Sequence, residues 1–136
     1  MKTTAPAALA DVLKALADPT RMRILALLGG GEICVCHIHT ALAVPQPTAS
    51  RHLAHLKNTG LVEDRKVGLW KHYRLRPLAD PALQAVVDAA RAAASGTRAV
   101  TRDCCRLTEA VKLIRSPLQQ EAQQGGADDR PRRVHA

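Results

Sequence analysis

Residues 44–58 constrain the fold of this chain more than any other stretch. The stretch opens with the sequence VPQP, in which Pro47 suits the first turn of a helix, and it ends just before Gly60, a common helix stop. Between these signals, an apolar set and a polar set of residues each recur at helical spacing. The apolar set is Ala49, Leu53 and Leu56, and the polar set is Thr48, Arg51, His52 and His55. The pattern predicts a helix with one face in a core and the opposite face rich in hydrogen-bond donors.

Three helices are predicted before this one. Asp18 and Pro19 form a helix-start signal, and the glycines at residues 29–31 stop the helix that follows. A short helix is expected over residues 35–43. The apolar stripe of the first, amphipathic helix is Leu9, Val12, Leu13 and Leu16. The residues expected to face inward are Ile24, Leu27 and Leu28 in the second helix and Val35, Ile38 and Leu42 in the third.

A β-hairpin and further helices are predicted after it. Residues 62–67 and 70–75 are strand candidates around Gly68. Asp80 and Pro81 repeat the helix-start signal, and a last apolar stripe runs from Leu107 to Ile114. We therefore predict a mainly α fold with a small β-hairpin, a winged helix-turn-helix. It would occupy residues 1–118 as a DNA-binding and dimerisation domain, and residues 119–136 would form a disordered tail.

The basic residues are concentrated where the polar helix and the hairpin lie. The chain has a formal net charge of +8, and residues 46–77 carry seven lysine and arginine residues against two acidic ones. A basic block is often only a solvated surface, but together with a helix-turn-helix pattern it favours double-stranded DNA as partner. The expected DNA-binding residues are Gln46, Thr48, Ser50, Arg51, His52 and His55 on the helix, and Arg65, Lys66 and Lys71 near the hairpin tip.

The four cysteines fall into two close pairs, Cys34 with Cys36 and Cys104 with Cys105. No secretory signal or membrane span is evident, so a cytoplasmic location with reduced thiols is expected, and such pairs then indicate metal binding or redox chemistry. On a regular helix Cys34 and Cys36 would point about 200° apart, so they could share an ion only where the helix start is distorted. Asp103 is expected to cap a helix beginning near the second pair, which would lower the thiol pKa.

Four segments together resemble the ArsR/SmtB family of metal-sensing repressors. They are residues 16–25 (LADPTRMRIL), residues 32–36 (EICVC), residues 46–62 (QPTASRHLAHLKNTGLV) and residues 66–75 (KVGLWKHYRL). They occur in the family's order, and the resemblance covers roughly residues 9–90. It implies a homodimer formed by the first and post-wing helices, which represses by binding operator DNA. It also implies that a bound metal lowers DNA affinity, with reciprocal coupling between the two sites. No catalytic constellation is evident, so no enzyme is expected.

The resemblance is greatest to the arsenic-sensing branch, whose box reads Cys-Val-Cys-x-x-Cys. It implies arsenite, and antimonite with it, as inducer bound by cysteine thiolates. His39 stands at the third position, so Cys104 or Cys105 could supply the missing sulfur, and His39 stays open as a ligand.

Other inducers stay open on the same scaffold. Cadmium and lead sensors share the box but draw on N-terminal cysteines, and residues 1–33 have none. Zinc and nickel sensors use histidines on the post-wing helix, which residues 81–95 lack. A redox- or persulfide-sensing repressor using the same cysteines is a further alternative. A thiol-disulfide oxidoreductase without a DNA role is disfavoured, because neither pair has Cys-x-x-Cys spacing.

Overall fold

The computed structural model describes residues 4–115, which form six helices and a three-stranded sheet. In chain order the elements are α1 (Pro6–Leu16), α2 (Pro19–Leu28), β1 (Ile33–Cys34), α3 (Val35–Leu42), α4 (Gln46–Asn58), β2 (Val62–Val67), β3 (Trp70–Leu75), α5 (Pro81–Ser95) and α6 (Arg98–Leu113). The mainly α fold with a hairpin is confirmed. The tail predicted over residues 119–136 lies outside the described residues. Within residues 4–115, none of the helices has the length and apolar run needed to cross a bilayer.

Two helices start where the Asp-Pro signals predict. The Asp18 Oδ1 atom accepts a hydrogen bond from the Arg21 backbone N at 3.0 Å, and the Asp80 Oδ1 atom accepts one from the Ala82 N at 2.9 Å. A proline follows each cap at the first helical position, where its missing N–H has no helical partner to lose. Local chemistry alone therefore sets these two starts.

The sheet contains one strand more than the predicted hairpin. Its order is β1-β3-β2, with both pairs antiparallel, so β3 is the central strand. In β1, Ile33 pairs with Tyr73 and Cys34 pairs with His72. A two-residue strand has no periodicity to detect, which is why the sequence did not reveal it. Strand β1 attaches the hairpin to the start of α3.

The core is built from the predicted faces of α2, α3 and α4, and from part of the predicted stripe of α1. The residues expected inside α2, α3 and α4 are buried. In α1, by contrast, Leu13 of the predicted amphipathic stripe is 48% exposed. The reason is that α1 buries only a narrow stripe, Val12, Ala15 and Leu16. Leu13 lies outside this stripe and adds apolar surface to the outer side of α1.

The turn between α3 and α4 contains a backbone conformation that side chains disfavour. Ala43 ends α3 with φ 55° and ψ 43°, in the left-handed region. The Ala43 N donates to the Thr40 carbonyl and the Val44 N to the His39 carbonyl, both at 3.1 Å. These bonds satisfy two carbonyls at the end of α3 and direct the chain into α4.

Replacing Ala43 with glycine is expected to stabilise the protein. Glycine avoids the steric cost of a Cβ in this region, so Ala43→Gly should raise the free energy of unfolding by roughly 0.5–1 kcal/mol. Urea denaturation monitored by circular dichroism measures the change. The matched control is Ala92→Gly on the exposed side of α5, where glycine should destabilise by a similar amount. Equal destabilisation by both variants would contradict the assigned backbone conformation.

Candidate functional site

Helix α4 has the two faces that its sequence predicts. Ala49, Leu53 and Leu56 are fully buried, and α4 packs against α3 through this side. On the other side, Arg51 and His55 are exposed, and no hydrogen bond or ion pair within residues 4–115 engages the Arg51 side chain. Of the remaining candidates on α4, Gln46 is exposed and Thr48 and Ser50 are half-buried. The helix thus presents Arg51 and His55 to any partner that approaches this face.

His52 differs from its neighbours on the polar face. Its side chain is only 15% exposed, and its Nδ1 atom lies 3.4 Å from the Arg21 Nη1 atom and 3.9 Å from the Asp18 Oδ1 atom. Arg21 is itself held by the carbonyls of Ala15 and Lys14 at 2.7 Å and 2.9 Å. His52 therefore lies at the contact between α4 and α2, at the margin of the exposed surface.

Several basic residues of the hairpin form ion pairs with acidic side chains. Arg65 donates from Nε to the Glu32 Oε1 atom at 2.6 Å and from Nη2 to the Glu32 Oε2 atom at 2.9 Å. Asp64 receives Lys57 of α4 at 3.0 Å and Lys71 of β3 at 3.1 Å. Burial alone would raise the pKa of Asp64, but hydrogen bonds from both lysines hold it below its ordinary value. Asp64 therefore ties the hairpin to α4 and fixes the angle between them, a role that the sequence did not indicate.

The hairpin tip projects beyond these ion pairs. Gly68 turns the chain with φ 60°, and the neighbouring Leu69 is almost fully exposed. Lys66 is also exposed. A cleft separates the hairpin from α4, with Ser50 and Lys57 on one side, Trp70 and Lys71 on the other, and Cys36 at its margin. A basic helix and a basic hairpin thus flank one groove.

Cys34 is the N-cap of α3 and lies outside the regular helix. Its backbone is extended, and its Sγ atom accepts a hydrogen bond from the Cys36 N at 3.4 Å. The helix begins at Val35, so the angular separation expected for two helical residues does not apply, and both sulfurs lie at the first turn. Cys34 is buried and Cys36 half-buried. Burial raises the pKa of the Cys34 thiol to about 11, so the closed fold holds it as a neutral thiol.

Cys104 and Cys105 are exposed on α6, beside the other end of α3. Helix α6 runs antiparallel to α3, because the Ile114 carbonyl contacts His37 at the start of α3 while Arg106 donates to the Ala41 carbonyl near its end. One chain therefore does not bring the two cysteine pairs together. Within residues 4–115, no three His, Cys, Asp or Glu side chains are grouped closely enough to hold a metal ion.

The predicted capping role of Asp103 is wrong. Helix α6 begins at Arg98, and its N-cap is Thr97, whose hydroxyl accepts from the Val100 N at 3.4 Å. The chain restarts a helix directly after Gly96, so Asp103 lies inside α6, where it is completely buried. Cys104 and Cys105 are consequently not at a helix N-terminus, and the argument for a lowered thiol pKa does not apply to them.

Of two histidines near the first cysteine pair, one contacts a backbone carbonyl and the other is buried. The His39 Nδ1 atom lies 3.2 Å from the Val44 carbonyl, in the turn that leads to α4. His72 is buried opposite Cys34, and neither of its ring nitrogens has a hydrogen-bond partner within residues 4–115. The sequence could not predict the burial of His72, because β1, which lies beside it, was not detected.

The burial of His72 is expected to make the protein less stable in mild acid. Burial lowers the pKa of His72 below its ordinary value of 6.5, so as the pH falls through that value the unfolded chain takes up a proton that the folded chain resists. The free energy of unfolding should fall below pH 6.5, by at most about 1.4 kcal/mol per pH unit for one proton. Urea melts of His72→Met should show a smaller loss between pH 7.5 and 5.5. The exposed control His55→Gln should behave as wild type, and an unchanged slope in His72→Met would refute the prediction.

Comparisons with known proteins agree on one family. The family described as "Bacterial regulatory protein, arsR family" matches residues 18–64. The chain is 44% identical over 98 residues to the arsenical resistance operon repressor of Escherichia coli K12, covering 71% of this chain and 84% of that protein. It is 41% identical over 112 residues to an arsenic resistance transcriptional regulator of Pseudomonas putida, covering 79% and 83%.

Solved structures with this fold are also similar. One is a homodimeric winged helix-turn-helix DNA-binding domain from Mycobacterium bovis, described as a possible ArsR-family transcriptional regulator. It is 34% identical with a TM-score of 0.55, and the match covers 70% of this chain and 91% of that one. Another is HlyU from Vibrio cholerae, 31% identical with a TM-score of 0.54, covering 61% and 87%.

Proposed function

Because this chain belongs to the ArsR family of bacterial regulatory proteins, we propose that it is a transcriptional repressor that binds operator DNA as a homodimer and releases it on binding trivalent arsenic. One observation carries the proposal: the thiol of Cys34 caps α3, and α3 packs directly on α4, the helix that presents Arg51 and His55. Chemistry at the thiol thus acts on the support of the DNA-reading helix. The cytoplasm, where thiols stay reduced, is the expected compartment.

Helix α4 is proposed to enter the major groove. Arg51 and His55 would reach base edges, because base contacts require exposed donors on a helix face. Gln46, Thr48, Ser50 and His52 lie towards the margins of that face and would add base or phosphate contacts. Arg65, Lys66 and Lys71 of the hairpin would contact the DNA backbone, which positions the protein without reading sequence.

A homodimer would present two copies of α4 to a pseudo-palindromic site. The Mycobacterium bovis domain is described as homodimeric, and α1 of this chain leaves Leu13 exposed and Leu9 half-buried on its outer side. We propose that α1 and the helices after the hairpin form the dimer contact. The two recognition helices would then meet successive major grooves, about 34–36 Å apart.

Cys34 and Cys36 are proposed as the inducer ligands. Trivalent arsenic prefers thiolate sulfur to oxygen or nitrogen, and Cys34 and Cys36 lie together at the start of α3, where the Cys36 N donates to the Cys34 sulfur at 3.4 Å. Ligation requires the Cys34 sulfur to lose its proton, and in this scheme the sulfur turns towards the metalloid and away from the Cys36 N, which it caps. The start of α3 then loses its cap, and the helix that supports α4 is altered. Inducer binding favours the DNA-free form in this scheme, and DNA opposes inducer binding equally.

Cys104 and Cys105 are proposed as an accessory thiol pair. They lie beside the far end of α3 in the same chain, so a third sulfur for the Cys34–Cys36 site would come from α6 of the partner subunit or from a displaced α6. His39 is a weaker candidate, because its ring already contacts the Val44 carbonyl and imidazole is a poor arsenic donor.

The proposal is tested by measuring the affinity of the initially reduced protein for a fluorescent operator fragment, by anisotropy, with arsenite, antimonite, cadmium or zinc added, and in separate titrations with peroxide or polysulfide. Arsenite and antimonite should weaken operator binding by roughly 5- to 150-fold, the usual range of allosteric coupling. No sequence-specific binding by the ligand-free protein would overturn the repressor assignment. Release by cadmium alone, or by peroxide or polysulfide alone, would keep the repressor but reject arsenic as its signal.

A further inference from the structure

A buried carboxylate on α6 joins two arginines that have no part in the site described so far. Asp103 is completely buried, and its Oδ2 atom accepts from the Arg23 Nε at 2.8 Å. Its Oδ1 atom accepts from the Arg23 Nη2 at 2.7 Å and from the Arg106 Nη2 at 2.9 Å. A buried charge is costly unless it is fully paired, so this network requires all three side chains.

The same two arginines close the C-terminal end of α3. The Arg23 Nη2 atom also donates to the Leu42 carbonyl at 3.0 Å, and the Arg106 Nε atom donates to the Ala41 carbonyl at 2.7 Å. The last carbonyls of a helix lack partners within it. Here the Ala43 and Val44 amides satisfy two of them and the arginines satisfy the next two. Positive charge at this end also suits the helix dipole.

We infer that Asp103 is a positioning residue for the turn between α3 and α4. It acts through Arg23 and Arg106, which hold the end of α3 and so set the position of α4. The inference rests on the proposed DNA binding of α4. Arg23 and Arg106 are partly exposed, so without the carboxylate each can turn towards solvent and leave its α3 carbonyl. Asp103 holds both arginines in place from a helix outside the helix-turn-helix itself.

The direct test compares Asp103→Asn with Glu109→Gln. Both replace one acidic residue of α6 by its amide, so the two variants share the same change in net charge. They differ because Glu109 is exposed whereas Asp103 is buried. Operator affinity should fall about tenfold in Asp103→Asn while affinity for unrelated duplex DNA stays unchanged, because phosphate contacts do not require the exact angle of α4. Glu109→Gln should bind both DNAs as wild type does. Equal operator affinities for the two variants would overturn the inference.

Two measurements keep the test decisive if Asp103→Asn folds poorly. Arg106→Gln removes one cap and leaves the Arg23–Asp103 pair, and it should weaken operator binding by a few-fold. Hydrogen exchange of the Ala43 and Val44 amides should accelerate in both variants relative to the amides of α2. If operator binding weakens while the hydrogen exchange of the Ala43 and Val44 amides is unchanged, Asp103 does not act through this turn and the inference is wrong. Absence of operator binding by the wild-type protein is a separate result, which rejects the proposed function itself.

Discussion

Replacement of Cys34 by serine is expected to leave the protein on its operator at arsenite concentrations that release the wild type. Serine is a good N-cap, so its hydroxyl should accept from the Cys36 N as the thiol does and preserve the start of α3. An oxygen donor is nevertheless a poor ligand for a thiophilic metalloid. The arsenite concentration for half-release should therefore rise by about 100-fold, because the loss of one sulfur ligand weakens the binding of arsenite itself. Anisotropy of the labelled operator, with arsenite titrated in, gives this value directly.

The other cysteines provide the controls for this experiment. Cys36→Ser should impair the response similarly, while operator affinity without arsenite should be unchanged in both variants. Replacing both Cys104 and Cys105 by serine removes two exposed thiols that do not cap a helix. This variant therefore measures what the α6 thiols contribute to the arsenite response. A wild-type response in Cys34→Ser, together with a lost response in the α6 double variant, would move the inducer site to α6.

Arg51→Ala is expected to weaken operator binding by roughly 5- to 150-fold, equivalent to about 1–3 kcal/mol for a lost base contact. The fold should be unaffected, because no hydrogen bond or ion pair within the described residues engages the Arg51 side chain, which lies on the exposed face of α4. Anisotropy titrations at one fixed salt concentration measure the affinity, and a thermal melt checks stability.

Arg98→Ala is the matched control for Arg51→Ala. Arg98 is exposed at the start of α6, so its loss changes the net charge identically without altering α4. Its operator affinity should stay close to that of the wild type. If the two variants bind the operator equally well, Arg51 reads no base and the assignment of α4 as the recognition helix fails. Equal losses for operator and unrelated DNA in Arg51→Ala would assign it to a phosphate instead.

Sequence patterns predicted the features that neighbouring residues determine. The Asp-Pro starts of α2 and α5 and the two faces of α4 depend on contacts within a few residues, and all of them are present. The predictions that failed required distant partners. Asp103 resembled a helix cap next to two cysteines, but its partner Arg23 lies 80 residues away in the chain. In α1 the helical spacing of the apolar stripe is present, but which part of that stripe is covered within one chain depends on α2 and α5.

The candidate site divides in the same way. The exposure of Arg51 and His55 follows from the periodicity of α4, and the structure agrees. The position of Cys34 as an N-cap could not be read from the sequence, because Cys is rarely chosen for that role and β1 is only two residues long. The relation between the cysteine pairs depends on the antiparallel packing of α6 on α3, which no local pattern encodes.

Cys34 is also the last residue of β1. This strand pairs with the central strand β3 through two residues, Ile33 and Cys34. A ladder of two residues has no reserve: if the backbone of Cys34 shifts, a single pair is left and the strand ceases to exist. A movement at this sulfur therefore releases the hairpin from β1 in the same event that loosens α3, while Asp64 still joins the hairpin to α4 through Lys57. The support of α4 and the attachment of the hairpin would therefore weaken together within one subunit.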